Sequence, residues 1–490
     1  MLEARVLKIW PILQLSVLCC ALSACALGPA YQAPAASEAG VPEGWHAQLP
    51  HAGKVMELAQ WWTQFDDPVL TELTLAAQRG SPTIAQAEAR VRQARAALDT
   101  SEAGRLPSLS LSASDTRSNG TGVAVAPGVG TTQTLASAGL NAAWDLDLFG
   151  GTRSSVQSAS ALAAASEAAW HDSRVSLAAA VADAYVMRRQ CEALLAQNEI
   201  DLSSRVETHR LISNKVQFGF TAPADALRTE ASVAEGTSLL LNQKGLCARL
   251  LNQLAALTGI AQVELLARLK PNNAIIPVPA AASVGTVPAA VLSQRPDVTS
   301  AERALAAANA DIGVAIANRL PRIALAGSIG INRLRLDSGT TRFNTWSFGP
   351  SLSLPIFDGG SGRALEAASR ARYDEALAAY RQRVQTAVQE VEDALVRVDI
   401  ALQRERSAEI AESRYQKYFD AKQVQFRVGA SSLLDLEDAR RITVAGKQAL
   451  AAVRLERAQS WIALYKAAGG GWQEASNAAA AGANSSPSAK

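Results

Sequence analysis

At 490 residues the chain has room for two or three ordinary domains or one large elongated one. Its 47 Lys+Arg against 45 Asp+Glu leave a formal net charge of +2, which argues against a nucleic-acid surface or an acidic tail. Aromatic residues make up only 5% while Ala is abundant, a composition suited to long helices packed through small side chains.

The first 24 residues read as an export signal. "MLEARVLKIW" supplies Arg5 and Lys8, an apolar run reaches Leu22, and small residues lead into Cys25. A Cys straight after Leu-Ser-Ala resembles the bacterial lipobox, which implies that Cys25 is acylated and opens a lipidated segment, 25–60. Ala26, rather than Asp, implies sorting to the outer membrane. The plainer alternative is an ordinary signal peptide with an incidental Cys. After Cys25 no run of about 18 apolar residues occurs, so any membrane crossing has to use strands. His46, His51, His171 and His209 stand in no close Cys/His spacing, so neither a metal site nor a cofactor is expected.

The stretch "RLPSLSLSAS" (Arg105–Ser114) returns as "RLPRIALAGS" (Arg319–Ser328), and both belong to a longer repeat. Pro82, Glu88, Ala94 and Pro107 meet Pro296, Glu302, Ala308 and Pro321, while Gly150, Arg153, Gly219, Asp225 and Gly259 meet Gly360, Arg363, Gly429, Asp435 and Gly469. Such a near-constant offset marks an internal duplication: repeat 1 over 61–260 and repeat 2 over 289–470. A Pro-rich linker and equatorial segment, 261–288, separates them, and a disordered tail is expected over 471–490. Each copy carries two alternating segments. Leu109, Leu111 and Ala113 precede Leu140, Ala142 and Trp144 in the first; Ile323, Leu325, Ile329 and Ile331 precede Trp346, Phe348, Leu352 and Leu354 in the second. Period-two stretches of about ten residues are how membrane-barrel strands look, although a soluble antiparallel sheet looks similar.

Four strands per chain cannot close a barrel, and an open sheet edge cannot stand in lipid. The strands must then be pooled among copies, eight from two chains or twelve from three, and a useful lumen favours three. Helical patterns run unbroken from Thr152 to Phe218 and from Gly362 to Val428, each about 100 Å at ~1.5 Å per residue. Val384, Val388, Val391, Leu395, Val398 and Leu402 keep the 3.5-residue beat of a left-handed supercoil. Gly219 and Gly429 turn the chain into return helices, giving antiparallel helical columns; a plain coiled-coil spacer is the alternative. Cys191 and Cys247 lie symmetrically about Gly219, at one height on the hairpin. They are either disulfide-bonded or buried as free thiols, the free thiols being the favoured state.

"CALGPAYQAP", "WWTQFDDPVLTEL", "WDLDLFGGTR", "SQRPDVTSAERALAAANADIGVAIANRLPRIALAGSIG" and "FGPSLSLPIFDGG" together resemble the TolC family of outer-membrane channels, in its OprM- and NodT-type lipoprotein branch. The resemblance implies a homotrimer with a 12-stranded β-barrel and a 12-helix periplasmic α-barrel, each chain being mainly α with membrane β. It implies an exit duct for small molecules, anchored in the outer membrane and reaching into the periplasm. Its partners would be a periplasmic adaptor and an inner-membrane transporter of the RND type. By position it makes Leu434 the apolar constriction of the periplasmic gate, with Asp438 and Arg441 as polar partners; an exposed helical ion pair is the plainer reading. Asp225 and Asp435 are secondary gate candidates or helix caps. Glu437 departs from the apolar residue usual there. A type I protein-secretion duct and a structural trimeric coiled-coil lipoprotein are the alternatives. No enzyme is expected: "AGSIG" (Ala326–Gly330) resembles a nucleophile elbow, but its alternation runs on through Ile329 and Ile331.

Overall fold

The computed structural model describes residues 28–35, 37–42, 45, 58–120, 131–270, 274–279, 292, 295–336 and 339–470. The expectations for the signal 1–24, for Cys25 and for the tail 471–490 lie outside these residues. In chain order come a kinked 3-10 segment (Leu58–Phe65), α1 (Pro68–Gly80), α2 (Pro82–Ala103), β1 (Ser108–Gly120), β2 (Thr131–Asp145), α3 (Gly151–Gln217), α4 (Pro223–Thr258) and α5 (Gln262–Leu269). There follow α6 (Pro296–Ala317), β3 (Arg322–Leu336), β4 (Gly339–Ser353), α7 (Ser361–Arg427) and α8 (Leu433–Ala467). Helix, two strands, long helix and return helix thus occur twice, and α3 and α7 have 67 residues each. Helix α5 is an addition to the sequence reading, which treats 261–288 as linker; Leu265 and Leu269 give it a buried face.

The chain divides into two compact units. One holds the stretch up to Pro34 with Arg90–Ser166 and Ser300–Tyr380. Its strands form one antiparallel sheet in the order β1-β2-β3-β4. Pro107 and Pro321 stand just before β1 and β3, where a missing N–H interrupts no ladder bond. All four helix connections leave from one end of the sheet, and both hairpins lie at the other. Against the helices lies the N-terminal stretch. The Tyr31 hydroxyl donates to Glu302 Oε1 at 2.6 Å, Asn309 Nδ2 donates to the Pro29 carbonyl at 2.9 Å, and Gly28 packs on Gly313 so closely that a Cβ would stand 3.1 Å from its Cα.

The other unit, Ala35–Ala89, Glu167–Thr299 and Arg381–Lys490, is helical in its described residues. Its main core gathers Trp61 and Phe65, Leu70 and Leu73 of α1, Val181 and Tyr185 of α3, Leu254 of α4, Leu265 of α5, Val391 and Leu395 of α7, and Trp461 and Tyr465 of α8. Trp61 stacks on Tyr465 at 5.1 Å between centroids. A buried polar chain ties the core elements together. Asp67 caps α1 by accepting from the Val69 and Leu70 amides and takes a 2.6 Å hydrogen bond from the Tyr185 hydroxyl. Arg189 donates to that hydroxyl, to Glu192 and to the Leu269 carbonyl. No single described helix is long and apolar enough to cross a membrane. The bent pair α4–α5 passes by length and composition, yet its Leu250, Leu251, Leu254, Leu265 and Leu269 are core residues.

Candidate functional site

The register sorts the sheet into two faces. On one, Leu111, Leu140, Ile329 and Trp346 stand side by side across all four strands, flanked by the rows Leu109–Ala142–Gly327–Phe348 and Ala113–Ala138–Ile331–Asn344. These apolar side chains are exposed, Trp346 at 81%. On the other face Ser110, Asn141, Ser328 and Ser347 form one row. Side-chain hydrogen bonds run across it: Ser114 with Ser137 and Ser328 with Ser347 at 2.8 Å, Asn141 to Ser112 and Asn332 to Thr345 at 3.0 Å. Among the described residues this polar face carries charge only at its helix end, where Arg322 pairs with Asp145 at 3.0 Å. One oily face and one neutral, hydroxyl-rich face suit a wall between lipid and water.

Both long hairpins turn on a glycine in the left-handed region, Gly219 (φ +72°) and Gly429 (φ +78°), where any side chain would be strained. Ile212 of α3, Phe426 of α7 and Leu436 of α8 pack together beside these turns. Just past Gly429, Leu434 is 57% exposed, and Asp438 and Arg441 form an exposed i, i+3 ion pair. All three line a cleft of about 560 Å³ between α4 and α8, together with Arg205, Arg228 and Glu437. The other two candidates are held locally. Asp435 closes a capping box with Ser432, and these hydrogen bonds hold its carboxyl below the usual range. Asp225 accepts from the Thr221 hydroxyl at 2.6 Å in the first turn of α4.

Sequence reasoning missed what lies behind this cleft. Glu437, a departure from the apolar residue usual there, is half-buried and pairs with Arg440, whose side chain is 3% exposed. Arg440 also donates to Ser204 Oγ at 3.0 Å and Thr208 Oγ1 at 2.8 Å on α3. Arg205 links Asp201 at 2.7 Å with Ser232 Oγ at 2.9 Å on α4. The i, i+3 spacing of Glu437 and Arg440 is visible in the chain; the burial of Arg440 is not. Higher on the first hairpin, Cys191 and Cys247 are joined as a disulfide with Cα atoms 5.6 Å apart, in place of the free thiols favoured from sequence. The axes of α3 and α4 come close enough there because Cys191, Cys247 and Leu250 share one buried cluster.

Residues 73–260 and 287–470 match the family described as outer membrane efflux protein. Nodulation protein T of Rhizobium leguminosarum bv. viciae is 31% identical over 475 residues, covering 94% of this chain and 96% of that protein. The antibiotic efflux pump outer membrane protein ArpC of Pseudomonas putida is 32% identical over 474 residues, with 94% and 96% covered. Among solved structures, the outer-membrane channel OprN superposes with a TM-score of 0.82 at 30% identity, covering 92% of this chain and all of that one. The open state of the Neisseria gonorrhoeae MtrE outer membrane channel does so at 0.76 and 27%, with 92% and 99% covered. With its two-faced sheet, its doubled long hairpins and likeness along nearly its whole length, this chain belongs to the outer membrane efflux protein family.

Proposed function

We propose that this protein is the outer-membrane exit duct of a tripartite efflux system and works as a homotrimer. Three four-stranded sheets would close a twelve-stranded barrel, apolar face to lipid and hydroxyl face to the lumen. A periplasmic adaptor and an inner-membrane transporter of the RND type would deliver small molecules to it. The observation that carries this reading is the pair of open edges, β1 and β4, on a sheet whose apolar face is continuous across every strand. In lipid, unpaired edge N–H and C=O groups cost several kcal/mol each, roughly, so the edges need partners. Exposed Phe218, Phe220 and Val428 at the hairpin turns offer an adaptor an apolar surface.

Acylation of Cys25 is part of the proposal. Gly28 is fixed against Gly313 and Ser154, each within about three helical turns of the sheet. The basic start, the apolar run and the Cys straight after Leu-Ser-Ala support this part of the reading. Leu434, Asp438 and Arg441 are assigned to the gate at the hairpin turns. Around a three-fold axis Asp438 would form a carboxylate ring facing three guanidiniums. The test is native mass in mild detergent followed by planar-bilayer conductance. Three chains are expected, with Leu434→Ala and Asp438→Ala raising the closed-state current severalfold. A persistent monomer would sink the duct; unchanged currents in both variants would sink the gate alone.

A further inference from the structure

The apolar face of the sheet ends abruptly toward the hairpins. On β3 it runs from Ile323 to Ile331, about 27 Å along the strand at ~3.4 Å per residue and about 21 Å of depth at a ~40° tilt, against about 25 Å for a barrel's lipid-facing band. The next row on that face is Asp115–Ala136–Arg333–Arg342, and the row beyond it is Arg117–Thr134–Arg335–Thr340. Arg117, Arg333, Arg335 and Arg342 are all exposed, and none is ion-paired among the described residues. Arg333 and Arg342 face each other directly across β3 and β4. Like charges in that position destabilise a sheet unless an anion lies between them. One carboxylate, Asp115, two strands from Arg333, leaves the four guanidiniums with a surplus of positive charge.

We infer that this arginine patch binds the phosphate groups of the outer-leaflet glycolipid, lipid A. The inference rests on the membrane reading proposed above, with the helix-bearing end of the sheet toward the periplasm and its hairpin end therefore at the outer surface. The apolar rows would take the acyl chains, and the guanidiniums at the rim of the band would meet the headgroup phosphates. Arg suits this because its planar fork binds phosphate oxygens two at a time. A free phosphate would lack the acyl chains that bring the headgroup to this depth. Phosphatidylglycerol, with a single phosphate, leaves more of the four-guanidinium patch unneutralised than a bisphosphorylated lipid does.

The full-length protein would be placed in phosphatidylcholine nanodiscs doped with bisphosphoryl lipid A, dephosphorylated lipid A or phosphatidylglycerol, with retained lipid counted by native mass spectrometry. Bisphosphoryl lipid A is expected to be held about tenfold more tightly than either other lipid. R333Q/R342Q is expected to lose that preference, and R333K/R342K, which keeps the charge but not the fork, to keep only part of it, at about threefold. Conductance is recorded in parallel on the same preparations. A parent protein that forms no channels overturns the membrane reading and this inference with it. Channels of normal conductance that hold all three lipids equally, or a Gln variant indistinguishable from the parent, overturn the inference alone.

Discussion

Single buried side chains in the helical unit set how it responds to mutation and pH. Arg440 is sealed between α3 and α8, where it neutralises Glu437 and satisfies two hydroxyls. Arg440→Met would keep the volume but strand the Glu437 carboxylate, a loss of about 3 kcal/mol. The expected result is a lower unfolding midpoint, largely restored by adding Glu437→Gln; no change in midpoint would count against the network. Asp183 behaves differently. Burial pushes its carboxyl up to about 6, only partly offset by Lys466. The folded state therefore keeps a proton that the unfolded chain releases, and stability falls as pH rises from about 4 to about 6. Asp183→Asn should raise the unfolding free energy by about 2 kcal/mol near pH 8 and change it little near pH 4. A gain of equal size at both pH values would rule out the carboxylate as its source.

Among the elements, the first long hairpin carries a covalent tie that the second lacks, since Cys191 and Cys247 have no cysteine counterparts 210 positions on. The tie closes a loop with a sequence separation of 56, which restricts the unfolded chain by up to about 4 kcal/mol. Unreduced, denatured protein should show neither thiol, and C191S/C247S should unfold earlier than the parent; two titratable thiols would refute the bond. The elements themselves were largely legible in the chain. Long helices keep a 3.5-residue beat, and Val384, Val391, Leu395 and Val398 lie buried where that beat puts them. Strand alternation was equally plain, because each face of the sheet meets one solvent along its whole length. Helix α5 escaped notice because eight residues show barely two turns of periodicity beside a Pro-rich stretch. The disulfide was invisible for another reason: sequence places both Cys at one height but not on facing sides of two helices. At the cleft, Leu434, Asp438 and Arg441 could be reached by position, whereas Arg440 and Asp201 acquire meaning only when α3 packs on α8.

At the scale of the whole molecule, assembly depends on what covers β1. In an antiparallel strand, consecutive residues direct their N–H and C=O groups to opposite sides. Of the neighbours Leu111 and Ser112, one therefore bonds to β2 and the other points its amide at the open edge. Proline at the first kind of position breaks the sheet within one chain. At the second kind it is tolerated on a strand that ends a sheet, but it removes a ladder bond where another copy's β4 is docked. Leu111→Pro and Ser112→Pro, made separately, thus distinguish a free edge from a shared one without any assumption about register between copies. If three chains pool their strands, both variants should run as monomers in mild detergent and fail to conduct. If either assembles and conducts like the parent, the edge of β1 is not paired, and four strands per chain must meet lipid in some way other than a common barrel.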